Sequence, residues 1–108
     1  MKLDPLLNAI KEDYNQWNAR SPYGDEQRKA EREEEFAAGV VVEEGRKYIK
    51  VIQGHSVWGF IMKADDQNFR AGDILKAASW SAPARNKPRG NVIDGDLSWV
   101  RWTGPEYL

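Results

Sequence analysis

The chain contains no cysteine and only one histidine, His55. The absence of cysteine excludes disulfides, thiolate nucleophiles and cysteine-ligated zinc. A single imidazole leaves a conventional zinc site without its usual ligands, so we predict no metal centre, and nothing in the chain points to a cofactor. A chain without cysteine also favours a reducing compartment, and we expect a cytoplasmic protein.

Long apolar runs are also missing. The longest candidate, residues 36–42, is far shorter than the ~20 residues that a membrane-spanning helix requires. Residues 1–5 lack the apolar segment of a secretory signal, so we expect none. The sequence therefore predicts no membrane partner.

The length and composition are those of one small folded domain. The chain has 108 residues, of which 41% are hydrophobic and 31% are charged, values that separate it from disordered proteins. We predict a single domain over residues 1–108. Within it, residues 1–39 are predicted to be helical and acidic, and residues 40–108 to be β-rich and basic.

The net charge of −1 conceals an uneven distribution. Residues 1–44 contain six Lys/Arg and eleven Asp/Glu, whereas residues 45–108 contain ten and six. Two interpretations remain open. Either the two halves present surfaces for different partners, or an acidic helix lies across a basic sheet and neutralises it within the molecule.

A first helix is predicted over residues 5–19, where apolar residues recur at spacings of three and four. Asp4 and Pro5 suit an N-cap and a first turn, and Ser21 followed by Pro22 is expected to end the helix. The apolar stripe is interpreted as a surface that faces the core. Its members are Leu3, Leu7, Ile10, Tyr14 and Trp17, with Leu6 beside them.

A second helix is predicted from Asp25, as its N-cap, to about residue 38. Gly39 is expected to terminate it in the left-handed conformation. The centre of this helix is almost entirely charged, and residues 31–35 hold four glutamates. Such a run is typical of a solvated face. Whether the helix packs on the sheet or projects from it stays open.

From residue 40 onward, β-branched and aromatic residues predict strands. Residues 53–56 fit a hairpin loop between two of them, and the third strand is expected to continue to about residue 80. The predicted fold is α+β: two N-terminal helices followed by a four- to five-stranded antiparallel, strongly bent sheet or a partly closed small β-barrel. The other strands are predicted at residues 40–43, 47–52, 57–62 and 97–102.

Residues 76–93, here called the basic segment, carry four positive charges and no acid. We predict that they form a long exposed loop between the third and fourth strands. Four of the five tryptophans lie in the same half of the chain, and a small domain cannot bury them all completely. Trp99 and Trp102 are an odd number of residues apart, so in a strand they point to opposite faces.

Nucleic-acid binding is the first functional hypothesis. Exposed aromatic rings can stack on bases, and nearby cations can release counterions from phosphates. Against it, the pI of about 5.8 is far from the basic balance of most such domains, and no nucleic-acid-binding motif is present. The predicted binding residues are Trp80, Arg85, Asn86, Lys87, Arg89, Trp99 and Arg101.

Recognition of a protein is the alternative. Pro83 and Pro88 restrict the basic segment, and Trp and Arg are over-represented in interface hot spots. The acidic second helix could bind a basic partner, which would account for both halves of the charge asymmetry.

Catalysis is not expected, and no catalytic residue is predicted. His55 adjoins Ser56 in a predicted hairpin loop, but adjacency in sequence does not create a catalytic dyad. A surface histidine in a turn accounts for it.

Between residues 45 and 92 the chain contains the runs GRKYIKVI (residues 45–52), VWGFI (57–61) and FRAGDILKAASW through RGNV (69–92). Together these runs resemble small accessory proteins of tailed bacteriophages. The resemblance covers about half of the chain and contains no catalytic motif. It implies the cytoplasm of an infected bacterial host as the setting, and a binding or host-modulating role with a host protein as a partner. It assigns no functional residue.

Overall fold

The computed structural model describes all 108 residues. Two helices precede six strands, so the predicted α+β class is confirmed. The first four strands form one antiparallel sheet in sequence order, and the last two form a separate antiparallel pair. The elements are α1 (Asp4–Arg20), α2 (Glu26–Ala38), β1 (Val40–Glu44), β2 (Tyr48–Gln53), β3 (Ser56–Met62), β4 (Ile74–Lys76), β5 (Val100–Arg101) and β6 (Gly104–Pro105).

The sheet is open, so of the two predicted alternatives, an open bent sheet and a partly closed barrel, the barrel is absent. β4 ends at Lys76 instead of near residue 80, because the amides of Ala78 and Ser79 both donate to the carbonyl of Ala82 and fold the chain into a turn. The strand predicted at residues 97–102 is reduced to β5. It pairs with β6 and stays outside the main sheet.

The helix α1 buries Leu6, Ile10 and Tyr14 against the sheet. These three members of the predicted apolar stripe are therefore confirmed as core residues. Trp17, expected in the core, is 48% exposed. The N-cap is Leu3, without a side-chain hydrogen bond, and Asp4 is already helical. The prediction that Asp4 caps the helix was therefore wrong by one position, since Pro5 already lies in the first turn.

The helix α2 begins as predicted, because the carboxylate of Asp25 accepts the amide of Arg28 at 2.9 Å. It ends differently from the prediction, since Gly39 has a right-handed backbone with φ of −84°. The helix packs on α1. The ring of Phe36, the one buried residue of α2, stacks on Tyr14 with 4.0 Å between ring centroids.

A fully buried amide, Asn18, joins the two helices. Its Nδ2 donates to the carbonyl of Lys29 and to Glu33 Oε2, both at 2.9 Å. Its Oδ1 accepts Nε of Arg32 at 3.1 Å. These bonds satisfy the buried amide completely and hold α2 against α1. The question whether α2 packs or projects is thereby settled: it packs on α1.

The two faces of the sheet support separate hydrophobic clusters. The larger one lies between the sheet, the helices and β5, and the smaller one includes Phe60, Met62, Phe69 and Leu75. A bulge in β3 inserts Trp58 as an extra residue, since Ile52 pairs with Val57 while Val51 pairs with Gly59. Trp58 is thereby directed into the larger cluster, where its Nε1 donates to the carbonyl of Arg101 at 2.7 Å. This bond ties β5 to the sheet.

The two edges of the sheet differ. The outer edge of β4 is covered by the returning chain: Arg89 donates its amide to Ile74 at 2.7 Å, and Ala84 donates to Lys76 at 2.7 Å. The outer edge of β1 pairs with no strand. On β1, Val41 and Val42 are 48% and 42% exposed.

No helix of this structure combines the length and apolar character that crossing a membrane requires.

Candidate binding surface

The basic segment runs back along β4 and is only partly exposed, which corrects the predicted open loop. Its far end is anchored by Asn91, whose Nδ2 donates to Asp73 Oδ1 at 2.9 Å and to the carbonyl of Ala71 at 3.0 Å. The Oδ1 of Asn91 accepts the amides of Ile93 and Asp94. Both Asn91 and Asp73 are buried. The hydrogen bonds of Asn91 therefore hold the end of the basic segment in its folded position.

Arg85 turns back over the sheet. Its guanidinium donates to Asp66 Oδ2 at 2.5 Å and to the hydroxyl of Tyr48 at 2.7 Å, and it lies over the ring of Phe69. The hydrogen bond to Asp66 raises the pKa of Arg85. The pKa of Asp66 is well below its usual range, because the amide of Asn68, then Arg85 and the amide of Phe69, donate to its carboxylate. Arg85 is thus already paired.

The lowered pKa of Asp66 makes the stability of the fold depend on pH. Because its pKa is lower in the folded state, its contribution to stability is complete above the unfolded value of about 4 and is lost as the pH falls below it. We expect the midpoint temperature of unfolding to decrease between about pH 4 and pH 2, and Asp66→Asn to flatten that slope. Thermal unfolding followed by circular dichroism at several pH values measures both. An unchanged slope in the variant would assign the acid sensitivity to other carboxylates.

Arg89 and Lys76 are also engaged within the protein. Arg89 is 2% exposed, and it donates to Asn86 Oδ1 at 2.7 Å and to the carbonyl of Lys87 at 2.9 Å. Lys76 donates to the carbonyl of Pro105 at 2.8 Å. Burial lowers the pKa of Arg89, and burial followed by the charge of Arg89 lowers the pKa of Lys76. Neither cation lies beside a carboxylate within ion-pair distance.

Lys87 is the one cation of the basic segment that is exposed and free of an ion pair or a hydrogen bond from its side chain. Its Nζ lies 5.5 Å from the centroid of the half-buried Trp99 ring. Arg101 is paired with Glu106 at 2.7 Å and donates to the carbonyl of Val100 at 2.7 Å. Of the predicted cations, only Lys87 therefore lies next to a predicted tryptophan without an ion pair of its own.

The predicted tryptophans lie in different surroundings. Trp80 is 52% exposed, lines a hollow with Val57 and Ala77, and carries Lys50 Nζ at 4.7 Å from its ring. Trp99 lines another hollow with Lys87, Pro88, Asp94 and Asp96 among others. Asn86 is exposed and holds Arg89. The predicted binding residues therefore lie in separate parts of the structure instead of in one hollow.

Trp102 packs against the helices. Its ring lies 5.2 Å from Tyr14, 5.1 Å from Trp17 and 5.9 Å from Phe36, and its amide donates to Asp13 at 2.8 Å. Only Trp58 of the five tryptophans is buried, in agreement with the prediction that a domain of this size cannot enclose them all.

The acidic surface of α2 was interpreted from sequence as a solvated face and, in the alternative of a protein partner, as a surface that could bind a basic partner. The helix has five glutamates, and none of the five ion pairs of the protein involves it. Two of its three cations donate to backbone carbonyls: Arg32 to that of Tyr23 at 2.6 Å and Lys29 to that of Ala19 at 3.2 Å. The acidic helix therefore does not neutralise the basic half. The open groove on this surface is lined by Arg28, Glu31, Arg32, Glu34, Glu35 and Ala38.

The sequence was compared with protein families, and the chain with curated proteins and solved structures. The searches of curated proteins and of solved structures both gave no match. Nothing in them connects the chain to tailed bacteriophages, so that resemblance stays a prediction. One family model matches residues 3–105, nearly the full length. The chain belongs to DUF7717, a family of unknown function.

Proposed function

We propose that this protein is a small, non-enzymatic binding module that recognises a protein partner through a basic surface on that partner. The unpaired acidic surface of α2 is the observation that supports the proposal. Five glutamates against three cations, none of them in an ion pair, give α2 a negative local potential, and Asn18 and Phe36 hold the helix on α1. Such a potential attracts a cationic partner and repels phosphates.

Nucleic acid is supported less well than the sequence alone suggested. Phosphate binding requires accessible cations, because affinity grows with the number of phosphates that are neutralised. Arg85 already pairs with Asp66, Arg101 with Glu106, and Arg89 is buried. Lys87 beside Trp99 is what remains at the predicted site.

A selection from a library of random peptides, each long enough to form a strand of about ten residues, tests the proposal. We expect the selected sequences to be enriched in Lys and Arg, and titration with labelled single- and double-stranded oligonucleotides at about 50 mM salt to give no binding. If oligonucleotides bind at that salt and the selected peptides are not enriched in Lys and Arg, the proposal of a protein partner is wrong and nucleic acid is the better candidate.

The matched variant carries Glu31→Gln, Glu34→Gln and Glu35→Gln, which remove charge at constant size. An exposed ion pair contributes about 0.5 kcal/mol, so losing three weakens binding of a selected peptide roughly tenfold. A control variant removes the same number of charges outside α2 and away from the groove, by the changes Asp4→Asn, Glu12→Gln and Glu106→Gln. Equal weakening in both variants would show that net charge, and not the acidic surface of α2, attracts the peptide.

A further inference from the structure

The backbone orientation of β1 follows from two hydrogen bonds at its ends. The amide of Gly54 donates to the carbonyl of Gly39, and the amide of Gly45 donates to the carbonyl of Tyr48, both at 2.9 Å. The register between β1 and β2 is unbroken from one bond to the other. In an antiparallel pair, hydrogen-bonded and non-hydrogen-bonded residues alternate. The orientation of every residue between these two bonds is therefore determined.

Along β1, Val41 and Glu43 direct their backbone groups towards β2. Val40, Val42 and Glu44 consequently direct their amides and carbonyls away from the sheet. No backbone hydrogen bond from another segment reaches Val42 or Glu44. The strand thus presents a row of donors and acceptors at strand spacing, which is the template for adding another strand.

The β1 edge is the one free edge of the main sheet. The opposite edge, at β4, is occupied by the basic segment, whose amides and carbonyls bond to Ile74 and Lys76. On β1, the exposed side chains of Val41 and Val42 point to opposite faces, so an added strand finds an apolar neighbour on each face.

Charge decides which strand fits this edge. Glu43 has no ion pair, Glu44 pairs with Lys63 at 2.9 Å, and the acidic helix α2 leads directly into the strand. A second copy paired antiparallel through β1, with Val42 at the centre, would bring Glu43 of one copy within about one Debye length, ~10 Å, of Glu43 of the other. Like charges near one another oppose that dimer, whereas a cationic strand gains cross-strand pairs.

We propose that the outer edge of β1 binds an extended segment of a partner protein that carries Lys or Arg between β-branched residues, and that this segment becomes a fifth strand of the sheet. The site rests on the proposed function, since it assigns the place and the conformation of the basic ligand. Main-chain hydrogen bonds hold the segment, and the glutamates at the end of β1 and on α2 select its charge.

Amide hydrogen exchange measured by NMR tests the site directly. The probe is the synthetic peptide acetyl-Lys-Val-Lys-Val-Arg-Val-Lys-amide, together with any peptide recovered from the library. In the free protein we expect the amides of Val42 and Glu44 to exchange rapidly and those of Val41 and Glu43 to be protected. With saturating peptide, exchange at Val42 and Glu44 should slow by more than about tenfold.

The possible results separate the two proposals. Peptide binding without protection of Val42 and Glu44 overturns the edge site and leaves the proposed function standing. Absence of binding by the probe and by every library peptide overturns both. Protection of Val42 and Glu44 that rises with protein concentration, in the absence of peptide, would identify a second copy as the occupant.

A proline at position 42 provides the complementary variant. Val42→Pro removes an outward amide without removing a donor from the pairing of β1 with β2. We expect it to weaken probe binding more than about tenfold, a loss of about 1.4 kcal/mol, while the matched control Val42→Thr retains binding. Retained affinity in a folded Val42→Pro variant would contradict the site.

Modified probes keep the test independent of the folding of that variant. Two versions of the peptide are methylated on alternate backbone nitrogens, one on the odd and one on the even residues. Only one set of amides of an added strand faces β1, so one version should lose binding and the other should keep it. Equal binding by both versions would exclude strand addition.

Discussion

Replacing Gly90 by alanine is expected to destabilise the fold by about 3 kcal/mol or more. Gly90 has φ of +101°, a conformation that side chains other than glycine rarely adopt, and a Cβ placed there would lie 2.3 Å from the carbonyl oxygen of Asp96. Relief requires the backbone at Gly90 or at Asp96 to shift, and Gly90 is held on β4 because its carbonyl accepts the amide of Ile74. For a domain of this size, each kcal/mol lowers the midpoint of thermal unfolding by about 4–8 °C.

Gly95 offers a matched control for that variant. It also has a positive φ, of +77°, but no atom lies within 4 Å of its Cβ position. Gly95→Ala therefore incurs only the backbone penalty, about 1 kcal/mol. Comparing both variants in a single thermal-unfolding experiment separates the clash from the conformational cost. Equal losses of stability would mean that the contact between Gly90 and Asp96 relaxes freely.

Replacing Asn91 by alanine is expected to lower the free energy of unfolding by about 2–4 kcal/mol. The variant loses four hydrogen bonds and leaves the buried Asp73 without the donor at its Oδ1. A buried polar group left without a partner costs about 1–3 kcal/mol, which exceeds the net contribution of an ordinary hydrogen bond. Urea denaturation gives the change directly.

Asn68→Ala is the control for this second variant. Asn68 is exposed, and its side chain makes no hydrogen bond, so we expect a change within about 0.5 kcal/mol. If Asn91→Ala destabilises the protein no more than Asn68→Ala does, water replaces the lost partners and the network does not anchor the basic segment.

Both variants address the same functional question. Gly90 and Asn91 hold the basic segment along β4, and the segment in turn covers that edge of the sheet. If the segment is primarily structural, its arginines are unavailable for a ligand, and the acidic surface of α2 and the β1 edge are the stronger candidates. Retained binding of the basic probe peptide by a folded Arg85→Ala variant would agree with this assignment.

The sequence by itself determined the elements whose signals are local. The periodicity of apolar residues located α1, the carboxylate of Asp25 located the start of α2, and β-branched residues located β2 and β3. These signals are local because a helix or a hairpin forms its hydrogen bonds between residues close in the chain. The absence of cysteine likewise excluded disulfides, because no tertiary structure can form a disulfide without cysteine side chains.

Only the tertiary structure decided which charged groups are available. Arg85 and Arg89 look alike in sequence, yet one pairs with Asp66, nineteen positions away, and the other is buried. Asn18 looks like an ordinary polar helix residue, although it is fully buried between α1 and α2. A long or polar side chain takes its role from partners that distant segments bring to it, and periodicity does not encode those partners. The open edge of β1 is likewise a property of the assembled sheet, because it depends on where the other strands stop.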